Sequence, residues 1–86
     1  MIIRFFGSSN CRDCLKIFVL LNKYLIEYEY IDADEDDTQD LCDEQEVFEL
    51  PHLQFVDEEN NIIDEHIGQL NSKKLEEYLT KYFSDY

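Results

Sequence analysis

The sequence predicts an α/β fold in the order βαβ-αββα, with one four-stranded mixed sheet and three helices. Three observations carry that expectation. An apolar run, Ile2–Phe6, ends at Gly7 and leads through a polar loop into a stretch of helical period. A second short alternating run, Glu27–Ile31, follows that stretch. Near the end, two apolar runs flank the polar segment Asp57–Asn61, and a helical stripe closes the chain.

The elements follow in order. Ile2–Phe6 suits a strand buried on both faces. Ser8–Asn10 is rich in helix-capping residues, and the helix is expected from Arg12 to about Leu25. Leu15, Phe18 and Val19 mark its apolar face, and Lys23 complements the dipole at its end. Glu27–Ile31 is the second strand, and Asp32–Asp37 is an acidic loop. Thr38–Phe48 is expected as a polar helix with a thin stripe of Leu41, Cys42 and Phe48, broken at Leu50-Pro51. Leu53–Val56 and a strand from Ile62 to near Gly68 form a hairpin whose turn carries asparagines that tolerate positive φ. Ser72 is placed to cap the last helix, whose Leu75, Tyr78, Leu79, Tyr82 and Phe83 share one face. The helical crossover makes the first two strands parallel and right-handed, and the last two are antiparallel.

At 86 residues the chain is expected to be a single domain, 1–86. With 44% hydrophobic residues it can build a core without structural disulfides. Its formal net charge is −14, from 21 acidic and 7 basic residues, so phosphate backbones and anionic lipid are repelled and neither nucleic-acid nor membrane binding is expected. No Lys or Arg stands between Tyr24 and Ser72, whereas 17 of the acids lie from Glu27 to Glu65. The apolar run at Ile2–Phe6 is too short for a signal peptide, and Leu15–Leu21 is too short to span a bilayer. Three cysteines do not make a secreted disulfide framework, so a cytoplasmic location is expected.

Cys11 and Cys14 form a Cys-x-x-Cys pair between a strand and a helix. Free helical N–H groups and the positive end of the dipole favour a thiolate at Cys11, and the two-residue spacing brings Cys14 close enough to resolve a mixed disulfide there. In a βαβ setting the pair reads as a redox motif. Arg12 and Lys16 add positive charge, and Asp13 opposes them. The rival reading is half of a zinc site completed by Cys42 with His52 or His66, but neither spacing is finger-like. Asp32, Asp34 and Asp36 have calcium-loop spacing, yet Asp37 occupies the glycine position such a loop requires. Cys42 is expected half buried in the second helix, with a modifiable thiol as the alternative. His52 is a candidate general base beside Pro51, and His66 is expected at the surface.

Phe5-Phe6-Gly7-Ser8-Ser9-Asn10-Cys11-Arg12-Asp13-Cys14, Tyr30–Asp36, Glu49-Leu50-Pro51-His52-Leu53 and Ile67–Ser72 together resemble the thioredoxin and glutaredoxin superfamily, most closely its small glutaredoxin-like thioredoxins. The resemblance implies a thioredoxin-like fold, with a cis peptide before Pro51 packed against the cysteines and the Leu50 backbone receiving an extended substrate segment. It implies Cys11 as nucleophile and Cys14 as resolving thiol, with Arg12, Asp13, Leu50, Pro51 and Gly68 as substrate-binding positions. The activity implied is that of a monomeric dithiol–disulfide oxidoreductase reducing protein disulfides. It has no bound cofactor beyond its redox-active disulfide, and a reductase, another dithiol or glutathione supplies its electrons. The alternatives are a glutathione-dependent glutaredoxin and a non-catalytic redox-sensing adaptor. The chain departs from the family at Arg12-Asp13, at Asn10 where long thioredoxins have Trp, at Phe5 where they have a buried Asp, and at Gly68-Gln69 where glutaredoxins have paired glycines. Parallel topology puts the Asp32–Asp37 loop on the cysteine rim, a poor setting for the two carboxylates of glutathione.

Overall fold

The structure, a computed structural model, describes residues 1–83. Strand β1 (Ile2–Gly7), helix α1 (Arg12–Lys23) and strand β2 (Tyr28–Asp32) are followed by a 3-10 turn, Asp36–Thr38, and helix α2 (Gln39–Glu44). Strands β3 (His52–Val56) and β4 (Ile62–Ile67) and helix α3 (Ser72–Tyr82) complete the chain. The sheet order is β2-β1-β3-β4, with β1 and β2 parallel and the other two pairings antiparallel. The expected fold class is therefore the observed one.

The strand pleat sorts the core into two layers. Ile3, Phe5, Leu53 and Phe55 pack with Cys14, Ile17 and Leu21 of α1 and with Leu75, Tyr78 and Leu79 of α3. On the other face Phe6 and Ile31 pack with Cys42 of α2. That second layer is thin, and polar groups extend it: Gln54 is fully buried, bonded to Arg4 and Gln45 at 3.2 Å each. Burial of polar groups is tolerated where partners are supplied, as here.

Four expectations are corrected. The face of α1 toward the sheet is Cys14, Ile17 and Leu21, while Leu15 and Val19 are 55% and 66% exposed. The helix carries two apolar stripes, and the one bearing Cys14 is turned inward. Its end comes at Lys23 rather than Leu25, because Leu25 (φ 55°) takes the left-handed position and the Ile26 N–H returns to the Leu21 carbonyl at 3.0 Å. Helix α2 stops at Glu44 in the same way: Glu46 has φ 56° and the Val47 N–H bonds the Cys42 carbonyl at 2.8 Å, which leaves Phe48 outside the helix and exposed. The cap of α3 is Asn71, whose side chain accepts the Lys74 N–H at 2.8 Å, and Ser72 is the first helical residue. The hairpin turn is as expected, with Asn60 at φ 67° and Asp57 Oδ1 accepting the N–H groups of Glu59 and Asn61.

Helix α3 is fastened to β4 by side chains. The Tyr82 hydroxyl donates to Asp64, and that bond chiefly holds the Asp64 carboxyl below its ordinary 3.8 against the opposing effect of burial. A carboxylate depressed in the folded state stabilises at pH above its unfolded value and loses that contribution as pH falls through the folded one. Tyr82→Phe should therefore lower the urea midpoint at neutral pH, and the gap from wild type should close below pH 3.8. A gap that is constant with pH would refute the assignment. Leu25 is 90% exposed, so its replacement by glycine sacrifices no packing. Leu25→Gly is expected to stabilise the fold by about 0.5–1 kcal/mol in the same assay, by relieving the left-handed strain.

Candidate active site

The loop after β1 is built around Ser8. Its hydroxyl donates to Asp34 and accepts the Asn10 N–H at 3.2 Å, and its carbonyl accepts the Cys11 N–H at 3.2 Å. The Gly7 carbonyl takes the Ala33 N–H at 2.8 Å. The acidic loop after β2 is thereby joined to the loop that precedes the cysteines, on the rim where the topology put it.

Cys11 is the N-cap of α1, with extended backbone (φ −98°, ψ 111°). Its sulfur accepts the Cys14 N–H at 3.1 Å, so it occupies the place that Ser, Thr, Asp or Asn takes at other helix starts. The two cysteines are joined as a disulfide with Cα atoms 5.2 Å apart. Their exposure differs sharply: Cys11 is half buried, whereas Cys14 is fully buried. A molecule approaching from solvent meets Cys11 before Cys14.

Gly7 makes this arrangement possible. A Cβ at Gly7 would lie 3.0 Å from Tyr30 Cε1, 3.1 Å from Phe5 Cε1 and 3.2 Å from Cys14 Sγ. The absence of a side chain lets the first turn of α1 sit directly on the strand. Phe5 is locked by the rings of Phe18 and Tyr30 at 4.8 and 5.3 Å. Beside the same strand end, burial and the charges of Asp32, Asp34 and Glu35 raise the Tyr30 phenol above its ordinary value. The significance of Gly7 was not drawn from the sequence; the signal was a glycine at the end of an aromatic strand just before a cysteine loop.

The other candidates divide into two groups. Leu50, Pro51 and Gly68 come together: the Leu50–Pro51 peptide is cis, Gly68 (φ 91°) donates its N–H to the Pro51 carbonyl at 2.9 Å, and Leu50 and Cys11 both pack on the core layer that holds Cys14. Arg12 is exposed and has no ion-pair partner among the described residues, while Asp13 pairs with Lys16 at 3.9 Å. Asp13 thus offsets Lys16, the opposition that the sequence suggests. Asp13 and Lys16 line a cleft of about 310 Å³ with Gln69, Leu70 and Asn71.

Both histidines are bonded. His52 is 2% exposed, and its Nε2 is hydrogen bonded to Glu65. His66 is half buried rather than on the surface, held by Tyr78 Oη at 3.0 Å and the Gln69 carbonyl at 2.7 Å. Cys42 is more buried than expected, at 6% exposure, and burial followed by the charge of Asp43 raises its thiol above the ordinary value. A raised thiol is a poor nucleophile at neutral pH. Among the described residues no group of three or more His, Cys, Asp and Glu is placed to hold a metal ion, and no helix is long and apolar enough to cross a membrane.

Gly7→Ala should lower the stability of the oxidised protein by about 1–2 kcal/mol, since two of the three crowded neighbours are fully buried and cannot withdraw. Urea denaturation checks this, and an unchanged midpoint would show that α1 can move off the strand.

No protein-family model and no curated protein matches the chain. Solved structures do. Thioredoxin 1 of Thermosipho africanus superposes with TM-score 0.75 at 20% identity, over 99% of this chain and 97% of that one. A mutant thioredoxin from Halobacterium salinarum gives 0.79 at 21% identity, over 94% and 73%. Oxidised thioredoxin O2 from Arabidopsis thaliana gives 0.76 at 22% identity, over 94% and 74%. The chain thus has the thioredoxin fold, and it carries a Cys-x-x-Cys disulfide at the N-terminus of its first helix, an arrangement suited to disulfide oxidoreductase chemistry.

Proposed function

We propose that this chain, as a single domain of 86 residues, is a monomeric dithiol reductant of protein disulfides in a reducing cytoplasm. The carrying observation is the unequal exposure of the two cysteines at one helix N-terminus, with Cys11 half buried and Cys14 fully buried. In the reduced protein the Cys11 thiolate attacks one sulfur of the substrate disulfide. A mixed disulfide forms between Cys11 and that sulfur, and the other substrate sulfur leaves as a thiolate and takes a proton. Cys14 then loses its proton and attacks Cys11 Sγ. This releases the second substrate thiolate and closes the Cys11–Cys14 bond. Two electrons have passed to the substrate, and an external dithiol, a reductase or glutathione must restore them.

The free N–H groups of α1 and the Arg12 charge favour the attacking thiolate. Leu50, Pro51 and Gly68 are the positions assigned to the substrate backbone, and Asp13 lines the cleft with Lys16 and Gln69. A protein disulfide is preferred to glutathione on grounds of charge. Asp34 is bonded into the loop before Cys11, and Lys16, the cation lining the cleft, is already paired with Asp13. A tripeptide with two carboxylates finds little compensation there.

The test is one assay with two substrates. Reduction of insulin with dithiothreitol as electron source should proceed over many turnovers in wild type, be abolished in Cys11→Ser, and stall in Cys14→Ser with a mixed disulfide detectable by mass. Offered a glutathione mixed disulfide in parallel, the wild-type protein should be slower. A faster rate with glutathione would make it a glutaredoxin, and an inactive wild type would favour a redox-sensing adaptor.

A further inference from the structure

His52 begins β3 immediately after Pro51, and its ring is almost wholly buried under the polar layer of the sheet. Its neighbours are the Phe6 ring, with centroids 5.9 Å apart, and the carboxylate of Glu65. In the β3–β4 register His52 stands opposite Ile67 and Gln54 opposite Glu65. The His52–Glu65 bond therefore runs diagonally between strands on one face, a separation that long side chains can bridge. Because the carboxylate accepts, Nε2 carries the proton. Nδ1 is buried with no hydrogen-bond partner among the described residues, so the bond to Glu65 anchors the ring beside its packing on Phe6. On the adjacent rung, the Pro51 carbonyl accepts the Gly68 N–H. The start of β3 is thus tied to β4 by backbone pairing and by the His52–Glu65 side-chain bond, two residues after Leu50.

We propose that His52 and Glu65 are positioning residues that fix the Leu50 backbone for an extended polypeptide substrate, so that the pair governs affinity for protein disulfides rather than the rate of thiol exchange. This rests on the reading that Leu50 receives the substrate backbone. Losing the acceptor leaves neither nitrogen of the buried imidazole bonded to a described residue, and relief of that cost loosens the Leu50-Pro51-His52 segment. The pair acts through the peptide that His52 continues.

The test compares Glu65→Thr, which removes the reach but keeps a strand-favouring residue, with Glu65→Gln, which keeps an acceptor. Glu58→Gln, in the hairpin at the opposite end of the sheet, controls for loss of one acid. In insulin reduction, E65T should raise KM about tenfold with kcat within about twofold of wild type, and E65Q should return KM to within about twofold. Hydrogen exchange should accelerate at the Gly68 amide in E65T but not at the Asp57–Asn61 turn, a local loosening that general destabilisation would not produce. An unchanged KM in folded E65T, a fall in kcat alone, or unfolding of E65T while E65Q behaves as wild type would each overturn the proposal. Wild type that fails to reduce insulin would instead defeat the dithiol reading itself.

Discussion

The close approach of α1 to the end of β1 at Gly7 is the constraint on which both fold and chemistry depend. A side chain there would meet Cys14 Sγ, Phe5 and Tyr30 together, each within 3.2 Å. With hydrogen in its place, the first turn of the helix rests on the strand, Cys14 is buried, and Cys11 is left at the cap with its sulfur on a free N–H. The rotation of α1 follows from this seat. Cys14 inward brings Ile17 and Leu21 inward one and two turns later, and the rival stripe of Leu15 and Val19 is turned to solvent. Interiors are dense enough that one missing Cβ decides such choices.

Charge is arranged around this seat with a definite polarity. The β2 end and its acidic loop meet the cysteine loop through Ser8 and Asp34 and through Gly7 and Ala33. The cations of the helices are partly spent on neighbours: Lys16 on Asp13, and Lys74 on Glu77 at 3.5 Å. A disulfide approaching Cys11 therefore meets carboxylates beside the Arg12 guanidinium, which has no ion-pair partner among the described residues. Such a field slows anionic reactants and leaves cationic ones unhindered, with an influence that weakens as salt is added.

The fold was legible because its signals are local and mutually consistent. Strand β1, the hairpin with Asn60, the helical stripe of α3 and the Cys-x-x-Cys at a strand–helix junction each follow from spacing over a few residues. The details that were missed depend on competition between near-equal alternatives. Asn71 and Ser72 are both good caps, and only the chain's path decides that Asn71 faces the Lys74 N–H. Both α1 and α2 end in a left-handed residue that is not glycine, so no glycine marked their ends. At the site, the Cys11 and Cys14 pair was evident from type and spacing, and Pro51 was singled out by the family resemblance. The roles of Gly7 and of the His52–Glu65 bond were not, because they arise from cross-strand neighbours that sequence distance conceals.

The two outer strands of the sheet, β2 and β4, have a bearing on how copies of this protein behave when crowded. An uncovered strand offers open backbone groups to any other strand, and proteins defend such borders with charge. Here β2 carries Glu29 and Asp32, and β4 carries Asp64 and Glu65, with no Lys or Arg in either strand. Border against border, two molecules present like charge to like charge, and neither can answer the other. The acidity of the cysteine rim thus extends to both borders of the sheet, where like charge opposes edge-to-edge pairing.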